Sequence, residues 1–450
     1  MVLRVLGIAL VLYLSFGKGF AYAGVPPAYV GELLLLTVVL AALGSKTALP
    51  QNTAAAIAGA LAGIALVQLA VDRFTAADPW LESVRGVAPI YYSGFAFAVY
   101  ALLRRYEAAA GSTAVMRAIE GALMRAAPVV VVLIVLLLVV RTLGGESVGP
   151  TWPVSHGRLL ITKATDIAVA LSVVLPALLA GRSGSRVLRH RRWLLALWLL
   201  VAIIVSFRSR AALGGLAIGY AVGRPSLARA LRGFAALTVL LVVLYASGLT
   251  VTLGRQRELS FRSGVDSVAS LVGLDEGIDN PRLTGTRNWR IAWWSEIWAD
   301  VTSQGMLLHG QGWGDNLAIR YDVVPPGADR DPRVLRAPHS ILFSLAGRAG
   351  LVTAVGFLLV PVLTVARSFT RRTRHGHSFA VEGARAGVAA AVVVAFSDVY
   401  LESPQGGIVL WSLIGFLWWV AAPRDDGRAE PRPTGSFPAV QRRRRAATSS

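Results

Sequence analysis

The sequence contains no cysteine, and this absence excludes several kinds of chemistry. Its 450 residues cannot form a disulfide, a thiolate metal site or a cysteine nucleophile. Charged residues are also scarce, at 16%, whereas hydrophobic residues make up 55% and the mean hydropathy is +0.58. This composition is too apolar for a soluble globular protein. It therefore indicates a protein embedded in a membrane.

Apolar runs recur along most of the chain, while the strand alternation typical of outer-membrane barrels is absent. A run of about 17–25 apolar residues crosses the hydrocarbon core, and a backbone in lipid satisfies its own hydrogen bonds as a helix. The sequence thus predicts an all-α, polytopic transmembrane helix bundle of about twelve spans. The predicted spans cover residues 2–17, 29–43, 53–71, 88–103, 127–141, 159–180, 193–206, 209–222, 234–253, 338–366, 384–397 and 405–421.

These spans divide the chain into regions. Residues 1–253 hold the spans before the largest loop, and residues 254–337 form that loop. Residues 338–421 hold the last spans, and residues 422–450 form a charged, Pro-rich tail that is predicted to be disordered.

The formal charge of +20 raises the question of nucleic-acid binding. Most basic residues, however, lie in alternate short loops and in the tail, where they orient a membrane protein rather than bind nucleic acid. This pattern predicts a multi-pass protein of the cytoplasmic membrane with both termini in the cytoplasm and residues 255–337 outside. The predicted inner loops hold Lys46, Arg104, Arg105, Arg117, Arg125, Arg182, Arg186, Arg189, Arg191, Arg192, Arg224, Arg229, Arg232, Arg367, Arg371, Arg372 and Arg374.

The N-terminus has a second interpretation. Arg4, the apolar stretch after it and the small-residue pattern at 21–23 resemble a cleaved signal peptide. Lys18 interrupts the approach to that site, which favours a first transmembrane hairpin instead.

The large loop contains an aromatic helix. Trp289, Trp293, Trp294 and Trp298 recur at helical spacing and predict a helix over about 284–302. Tryptophan is enriched at membrane interfaces, so this helix could simply lie on the outer leaflet. A tight Gly-rich turn follows at residues 310–314.

Four residues in or beside this loop could carry chemistry. Arg210 joins two apolar runs on the predicted outer side, where it either snorkels to the interface or faces an anion. Arg287 and Arg290 each carry a permanently charged guanidinium whose paired N–H donors suit phosphate oxygens. Arg290 could instead support Trp294 by a cation–π contact. His339 could be a capping or surface residue, or could take a proton from a hydroxyl near neutral pH.

The remaining histidines, at positions 156, 190, 309, 375 and 377, lack ligand spacing with carboxylates. We therefore expect no metal site.

A series of short motifs follows along the chain. They are Ser209-Arg210-Ala211, Arg290 with Trp294, the turn glycines Gly310, Gly312 and Gly314, His339, Arg348-Ala349-Gly350-Leu351, and the early string from Gly17 to Tyr22 with Gly31-Glu32. Over residues of about 200–360, the order of these motifs resembles the O-antigen ligase and polymerase family of polysaccharide assembly. In that family Asn often follows the histidine, whereas here it is Ser340.

The resemblance implies a metal-independent, inverting glycosyltransferase without a cofactor. Such an enzyme moves a glycan from a polyprenyl-pyrophosphate donor to a glycan or lipid acceptor at the outer membrane face. His339 would be the general base, and Arg210, Arg290 and Arg287 would bind the pyrophosphate. Trp294, Ser340 and Arg348 are implied as supporting residues.

Two other functional classes stay open. A lipid-glycan flippase or other transporter predicts membrane charges spread over two repeated halves, and the sequence shows no internal repeat. A receptor or scaffold would use the outer helix to bind a partner. Within the enzyme class, the sequence does not distinguish a ligase from a polymerase, nor identify the sugar or the acceptor.

Overall fold

The computed structural model describes residues 1–25, 28–45, 47–75, 80–144, 149–161, 163–180, 191–223, 251–252, 258–259, 281–323, 337–370 and 378–423. These residues are mostly helical. The helices are α1 (Val2–Phe16), α2 (Lys18–Ala21), α3 (Val30–Leu43), α4 (Thr53–Thr75), α5 (Trp80–Gly86), α6 (Ala88–Tyr91), α7 (Gly94–Ala110), α8 (Ser112–Gly144), α9 (Ala164–Ala180), α10 (Arg191–Arg208), α11 (Arg210–Gly223), α12 (Pro281–Ser303), α13 (Leu317–Arg320), α14 (Ile341–Ala349), α15 (Leu351–Thr370), α16 (Phe379–Ala395) and α17 (Pro404–Val420).

Strands are few and short. Strand β1 (Gly24–Val25) pairs antiparallel with β2 (Ala28–Tyr29), and β3 (Val251–Thr252) pairs antiparallel with β4 (Glu258–Leu259). A 3-10 turn covers Tyr400–Glu402. The predicted ninth span lies outside the described residues except at its end, where β3 replaces the expected helix.

Within the described ranges, three helices are long and apolar enough to cross a membrane, namely α4, α8 and α15. Helix α5 and the following helical stretch to Ala110 form a fourth candidate, bent by 54°. Helices α1, α3, α9 and α17 are apolar but shorter. The fold is therefore compatible with a helical membrane protein, while the prediction of about twelve spans stays a prediction.

Several predicted spans have different bounds in the structure. The span predicted at 88–103 divides into α6 and α7, and α7 continues to Ala110. The span predicted at 127–141 is part of the much longer α8. The span predicted at 338–366 is not continuous, because it divides into α14 and α15 at Gly350. Gly350 has φ +89, and a Cβ there would lie 2.6 Å from the Leu307 carbonyl oxygen. This close approach of a neighbouring backbone accounts for the break, which the apolar pattern alone does not reveal.

Small residues pack α11 tightly against α16. An added Cβ at Gly215 would meet Val394, one at Gly219 would meet the Ala386 carbonyl, and one at Gly223 would meet Ala386. Glycines four residues apart let two helix backbones approach closely, as in membrane helix pairs. The contacts run antiparallel, so the start of α11 lies beside the end of α16.

The same end of the bundle collects further helix termini. At the end of α1, the backbone N–H of Lys18 donates to Asp166 at the start of α9. A Cβ at Gly17, whose φ is +50, would overlap the Asp166 carboxylate. Near the end of α4, Asp72 accepts a hydrogen bond from the Trp313 N–H at 2.7 Å. We refer to this region as the site end of the bundle.

The Gly-rich turn fixes the large loop to the site end. The N–H groups of Gln311 and Gly312 donate to the carbonyls of Gly347 and Arg348 at 2.8 and 2.9 Å. These bonds satisfy carbonyls that the end of α14 leaves without intrahelical partners. A Cβ at Gly310 would lie 2.4 Å from the Arg348 carbonyl carbon, so this glycine is required by close packing.

The predicted aromatic helix is confirmed as α12, which extends slightly beyond the expected bounds. The aromatic side chains of α12 do not all point away from the protein. Trp293 is buried at 1% exposure in a small core with Ile297, Leu317 and Val323. Trp298, by contrast, is 47% exposed. The helix is thus anchored to the protein by its own core.

Candidate functional site

Asp398 is the centre of a polar cluster at the site end. It follows α16, and its two carboxylate oxygens accept hydrogen bonds from the Lys163 ammonium and the Thr165 hydroxyl, both at 2.9 Å. Burial alone would raise the pKa of the Asp398 carboxyl, but the charge of Lys163 and these hydrogen bonds hold it below its usual range. Asp398 is therefore a charged group that ties the start of α9 to the end of α16.

Arg290 extends from α12 into this cluster. Its Nη1 donates to the Ser397 carbonyl at 3.0 Å, near the C-terminal end of α16. Burial lowers the pKa of Arg290, the charge of Asp398 raises it, and the charge of Arg210 lowers it further. Arg210 and Arg290 therefore lie close enough to repel each other, as expected where two cations share one anion.

Arg210 is positioned by the packing of α11. Ser209 caps this helix, because its hydroxyl accepts from the Ala212 N–H at 3.3 Å. The glycine contacts of α11 with α16 bring this helix start beside the end of α16. The Ser-Arg-Ala element thus serves as a cap followed by a cation at the edge of the cluster.

His339 lies where the chain enters α14, in an unusual backbone conformation with φ +55. Non-glycine residues rarely adopt this conformation, and the strain is of order 1–3 kcal/mol. Aromatic contacts hold it in place. Trp294 Nε1 donates to the Pro338 carbonyl at 2.8 Å, its ring stacks on Phe343 at 5.0 Å, and the ring of Trp289 meets the imidazole edge-on at 6.1 Å.

The electrostatic surroundings of His339 favour its neutral form. Burial lowers the pKa of the imidazole, and the charge of Arg290 lowers it further, while the charge of Asp398 acts in the opposite direction. Lys163 and Lys18 also lower it. A neutral imidazole at ordinary pH has a lone pair available to accept a proton.

The cluster has an excess of positive charge. Among the described residues, Lys18, Lys163, Arg210 and Arg290 act on the cluster together with the carboxylates of Asp166 and Asp398. Lys163 also acts on Glu402, which is paired with Arg348. Five cations against three carboxylates leave a formal excess of two positive charges. The chain has only three lysines, and two of them are here. Such an excess suits a doubly charged anion.

Several buried polar atoms beside His339 have no hydrogen-bond partner in the described part of the chain. They are Trp289 Nε1, Arg290 Nε and the hydroxyl of Ser340, which is 1% exposed. Buried donors in native proteins are nearly always paired with protein, water or ligand. We therefore expect bound water or substrate to complete this part of the site. Ser340 precedes α14 but does not cap it by its side chain.

Arg348 lies in α14 and contacts the large loop and the turn before α17. Its guanidinium donates to the Ser344 hydroxyl at 2.7 Å and to the Asp315 carbonyl at 3.4 Å, and it lies 3.6 Å from Glu402. The side chains of Arg348 and Glu402 are 8% and 11% exposed. The ion pair and these hydrogen bonds connect α14, the large loop and the turn before α17, while the supporting role of Arg348 stays a prediction.

The structure brings together three residues that the sequence singled out, Arg210, Arg290 and His339. Arg287 lies in α12, but its side chain is outside the described residues. Sequence reasoning missed Asp398 and Lys163, which are 235 positions apart. Lys163 precedes α9 and Asp398 follows α16, and both positions are on the predicted outer side. This shared position is the sequence signal that could have indicated a contact between them. Within the described ranges, no group of three or more His, Asp or Glu side chains could hold a metal ion.

No protein-family model matches the chain, and no curated protein is significantly similar to it.

Proposed function

We propose that this protein is a membrane glycosyltransferase. It transfers a glycan from a polyprenyl-pyrophosphate donor to an acceptor hydroxyl at the outer face of the cytoplasmic membrane, in the manner of an O-antigen ligase or polymerase. The observation that carries the proposal is the juxtaposition of a neutral, strained His339 with Arg210 and Arg290 in a cluster that has an excess of positive charge.

The chemistry of the donor matches this arrangement. A glycosyl pyrophosphate has an activated anomeric carbon and a leaving group that gains negative charge as the bond breaks. Fixed cations stabilise such charge most effectively when they are already positioned before the reaction. Arg210 and Arg290 would hold the pyrophosphate, with Lys163 and Lys18 adding to the positive potential.

His339 would act on the acceptor. Its neutral imidazole takes the proton from the acceptor hydroxyl while the oxygen attacks the anomeric carbon from the face opposite the pyrophosphate. The C–O bond to pyrophosphate breaks, the leaving group departs with the bonding electrons, and the anomeric configuration inverts. The left-handed backbone at His339, held by Trp294 and Trp289, would orient the ring for this step.

The direct test uses the purified protein in lipid nanodiscs with a synthetic polyprenyl-pyrophosphate oligosaccharide. A second oligosaccharide or a lipid-linked acceptor is added, and products are identified by mass spectrometry. The proposal predicts a new glycosidic product and release of polyprenyl pyrophosphate.

A transporter would behave differently in the same preparation. In sealed liposomes it would move the donor between leaflets and leave it chemically intact. Transbilayer movement without any glycosidic product would therefore replace the proposed activity with the flippase alternative.

A further inference from the structure

Three buried atoms beside His339 share one property, because each can donate a hydrogen bond and has no partner in the described part of the protein. They are Trp289 Nε1, Arg290 Nε and the Ser340 hydroxyl. The indole and the guanidinium can only donate, whereas the hydroxyl can donate and accept. A ligand that satisfies all three groups must therefore supply acceptor oxygens.

Two pairs of adjacent residues carry these donors. The first pair, Trp289 and Arg290, lies in α12, and the ring of Trp289 meets an imidazole edge-on at 6.1 Å. That imidazole belongs to the second pair, His339 and Ser340, where the chain enters α14. One turn further along α12, Trp294 donates to the carbonyl of the residue before His339 at 2.8 Å. The two pairs are therefore fixed beside each other.

The guanidinium of Arg290 is held in position by the protein. Its Nη1 donates to the Ser397 carbonyl at 3.0 Å, while its Nε is buried without a partner among the described residues. The positive charges of the cluster act at the same place. Guanidinium donors bind phosphate oxygens strongly, because both the charge and the direction of the N–H groups match. The acceptor that fits these donors best is therefore an oxyanion.

Indole N–H groups without a partner also occur away from the cluster. Trp293 and Trp313 have them, and both side chains are 1% exposed and packed in hydrophobic clusters. Trp289 packs at the edge of one of these clusters, but its ring also meets the imidazole of His339. Ser340 is 1% exposed, and its hydroxyl does not cap α14. Trp289 and Ser340 thus differ from the other two, because they lie beside the histidine.

We propose that Trp289 and Ser340 are substrate-binding residues, whose indole N–H and hydroxyl donate, together with Arg290 Nε, to phosphate oxygens of a polyprenyl-pyrophosphate donor. This inference rests on the proposed function and adds two neutral donors to the cations assigned there. A buried donor without a partner destabilises the free protein, and the same donor gains its hydrogen bond only in the complex. Both residues therefore contribute to binding and not to folding.

The experiment measures binding to the purified full-length protein in detergent by isothermal titration calorimetry. The probes are a short-chain polyprenyl pyrophosphate without sugar, the matching polyprenol, and the same polyprenyl pyrophosphate carrying a disaccharide. Ser340→Ala removes the hydroxyl, and Trp289→Phe removes the indole N–H but keeps an aromatic ring. Thermal unfolding of each variant is measured without ligand.

Matched controls make the same changes at exposed positions of α12. Ser303→Ala removes an exposed hydroxyl, and Trp298→Phe removes the N–H of an indole that is 47% exposed. Both positions are in the same helix as Trp289. A loss of binding that is specific to the donors beside His339 will be absent from these two variants.

We expect the parent protein to bind the sugar-free polyprenyl pyrophosphate and not the polyprenol. Ser340→Ala and Trp289→Phe should each weaken this binding by about tenfold or more, as for the loss of a hydrogen bond to a charged group. The two controls should bind as the parent does. Without ligand, Ser340→Ala should unfold at the same temperature as the parent or at a higher one, because the hydroxyl that it removes has no partner.

The assignment of either residue is overturned if its folded variant binds the sugar-free polyprenyl pyrophosphate as tightly as the parent does. This includes the case in which only the affinity for the disaccharide-bearing probe falls, because the donors would then recognise sugar hydroxyls. A lower unfolding temperature of Ser340→Ala with unchanged affinity would show a role in folding instead. These outcomes leave the proposed transfer reaction intact, whereas a parent protein that binds neither pyrophosphate probe contradicts both proposals.

Discussion

Replacing Asp398 with Asn tests the cluster independently of any enzymatic assay. The substitution keeps the shape of the side chain and one acceptor oxygen, but it removes the negative charge. In the parent protein Lys163 and Thr165 each donate to a different carboxylate oxygen of Asp398 at 2.9 Å. In the variant both donors compete for the one remaining oxygen. Lys163 loses its partner in the ion pair.

The magnitude follows from the burial of the pair. The side chains of Lys163 and Asp398 are 27% and 18% exposed, so solvent screens the pair only in part. A hydrogen bond to a charged group contributes about 1.5–3 kcal/mol, and partial exposure places this one near the lower end, at about 2 kcal/mol. The pKa of Asp398 is lower in the folded protein than the usual carboxyl value of about 3.9. The ion pair therefore contributes fully to the free energy of unfolding above that pH, and the contribution is lost as the pH falls below about 3.9 and Asp398 is protonated.

The assay is thermal unfolding in detergent, followed by intrinsic tryptophan fluorescence. At pH 7.5 Asp398→Asn should unfold at a clearly lower temperature than the parent, and the difference should shrink as the pH falls below about 4. The control is Asp322→Asn, because Asp322 is exposed and lies apart from the cluster. If Asp398→Asn and Asp322→Asn unfold at the same temperature at pH 7.5, the cluster as described is wrong.

Three further predictions concern the surroundings of the cluster. Arg290→Lys keeps the charge but loses the paired N–H donors of the guanidinium, so donor binding or turnover should fall roughly 10- to 150-fold. Full activity of both Arg290→Ala and Arg210→Ala would refute the assignment of these residues to the pyrophosphate. Trp294→Phe removes the hydrogen bond to the Pro338 carbonyl but keeps an aromatic ring, so unfolding stability should fall by about 1 kcal/mol and transfer should fall more than donor binding; equal losses of binding and transfer would argue against a role in orienting the histidine. A cysteine at the exposed Ser303 should label with an impermeant thiol reagent in intact or osmotically opened cells, and labelling only after lysis of the membrane would reverse the predicted topology.

The helices of the fold could largely be predicted from the sequence, because an apolar run long enough to cross a membrane must satisfy its own backbone hydrogen bonds as a helix. Most predicted spans correspond to helices, and the aromatic spacing identified α12 within a few residues. The helix break at Gly350 could not be predicted from the sequence, because it depends on the close approach of the backbone near residue 307, which belongs to the large loop. Such an approach leaves only a glycine in the sequence, and glycines are common in this chain.

Only some residues of the candidate site could be predicted from the sequence. Arg290 and His339 stand out because they border the one large polar loop. Asp398 and Lys163 do not stand out, because Asp398 shares its connection with Glu402 and Lys163 falls within the span predicted at 159–180. Their importance appears only when α9 and α16 are packed side by side through Gly383 and Gly387. That packing is a long-range property, which local periodicity does not encode.

The central claim is that His339 accepts a proton during glycan transfer, and comparing donor binding with transfer in His339→Gln tests it most directly. Glutamine is polar but cannot serve as a base, so the variant should bind the polyprenyl-pyrophosphate donor as the parent does while transfer falls by roughly 10²–10⁴. Because burial and Arg290 lower the pKa of His339, the parent should stay active below pH 6.5, where an ordinary histidine becomes protonated, and should lose activity only at lower pH. Near-normal transfer by His339→Gln, or activity abolished by EDTA and restored by Mg²⁺ or Mn²⁺, would contradict the account.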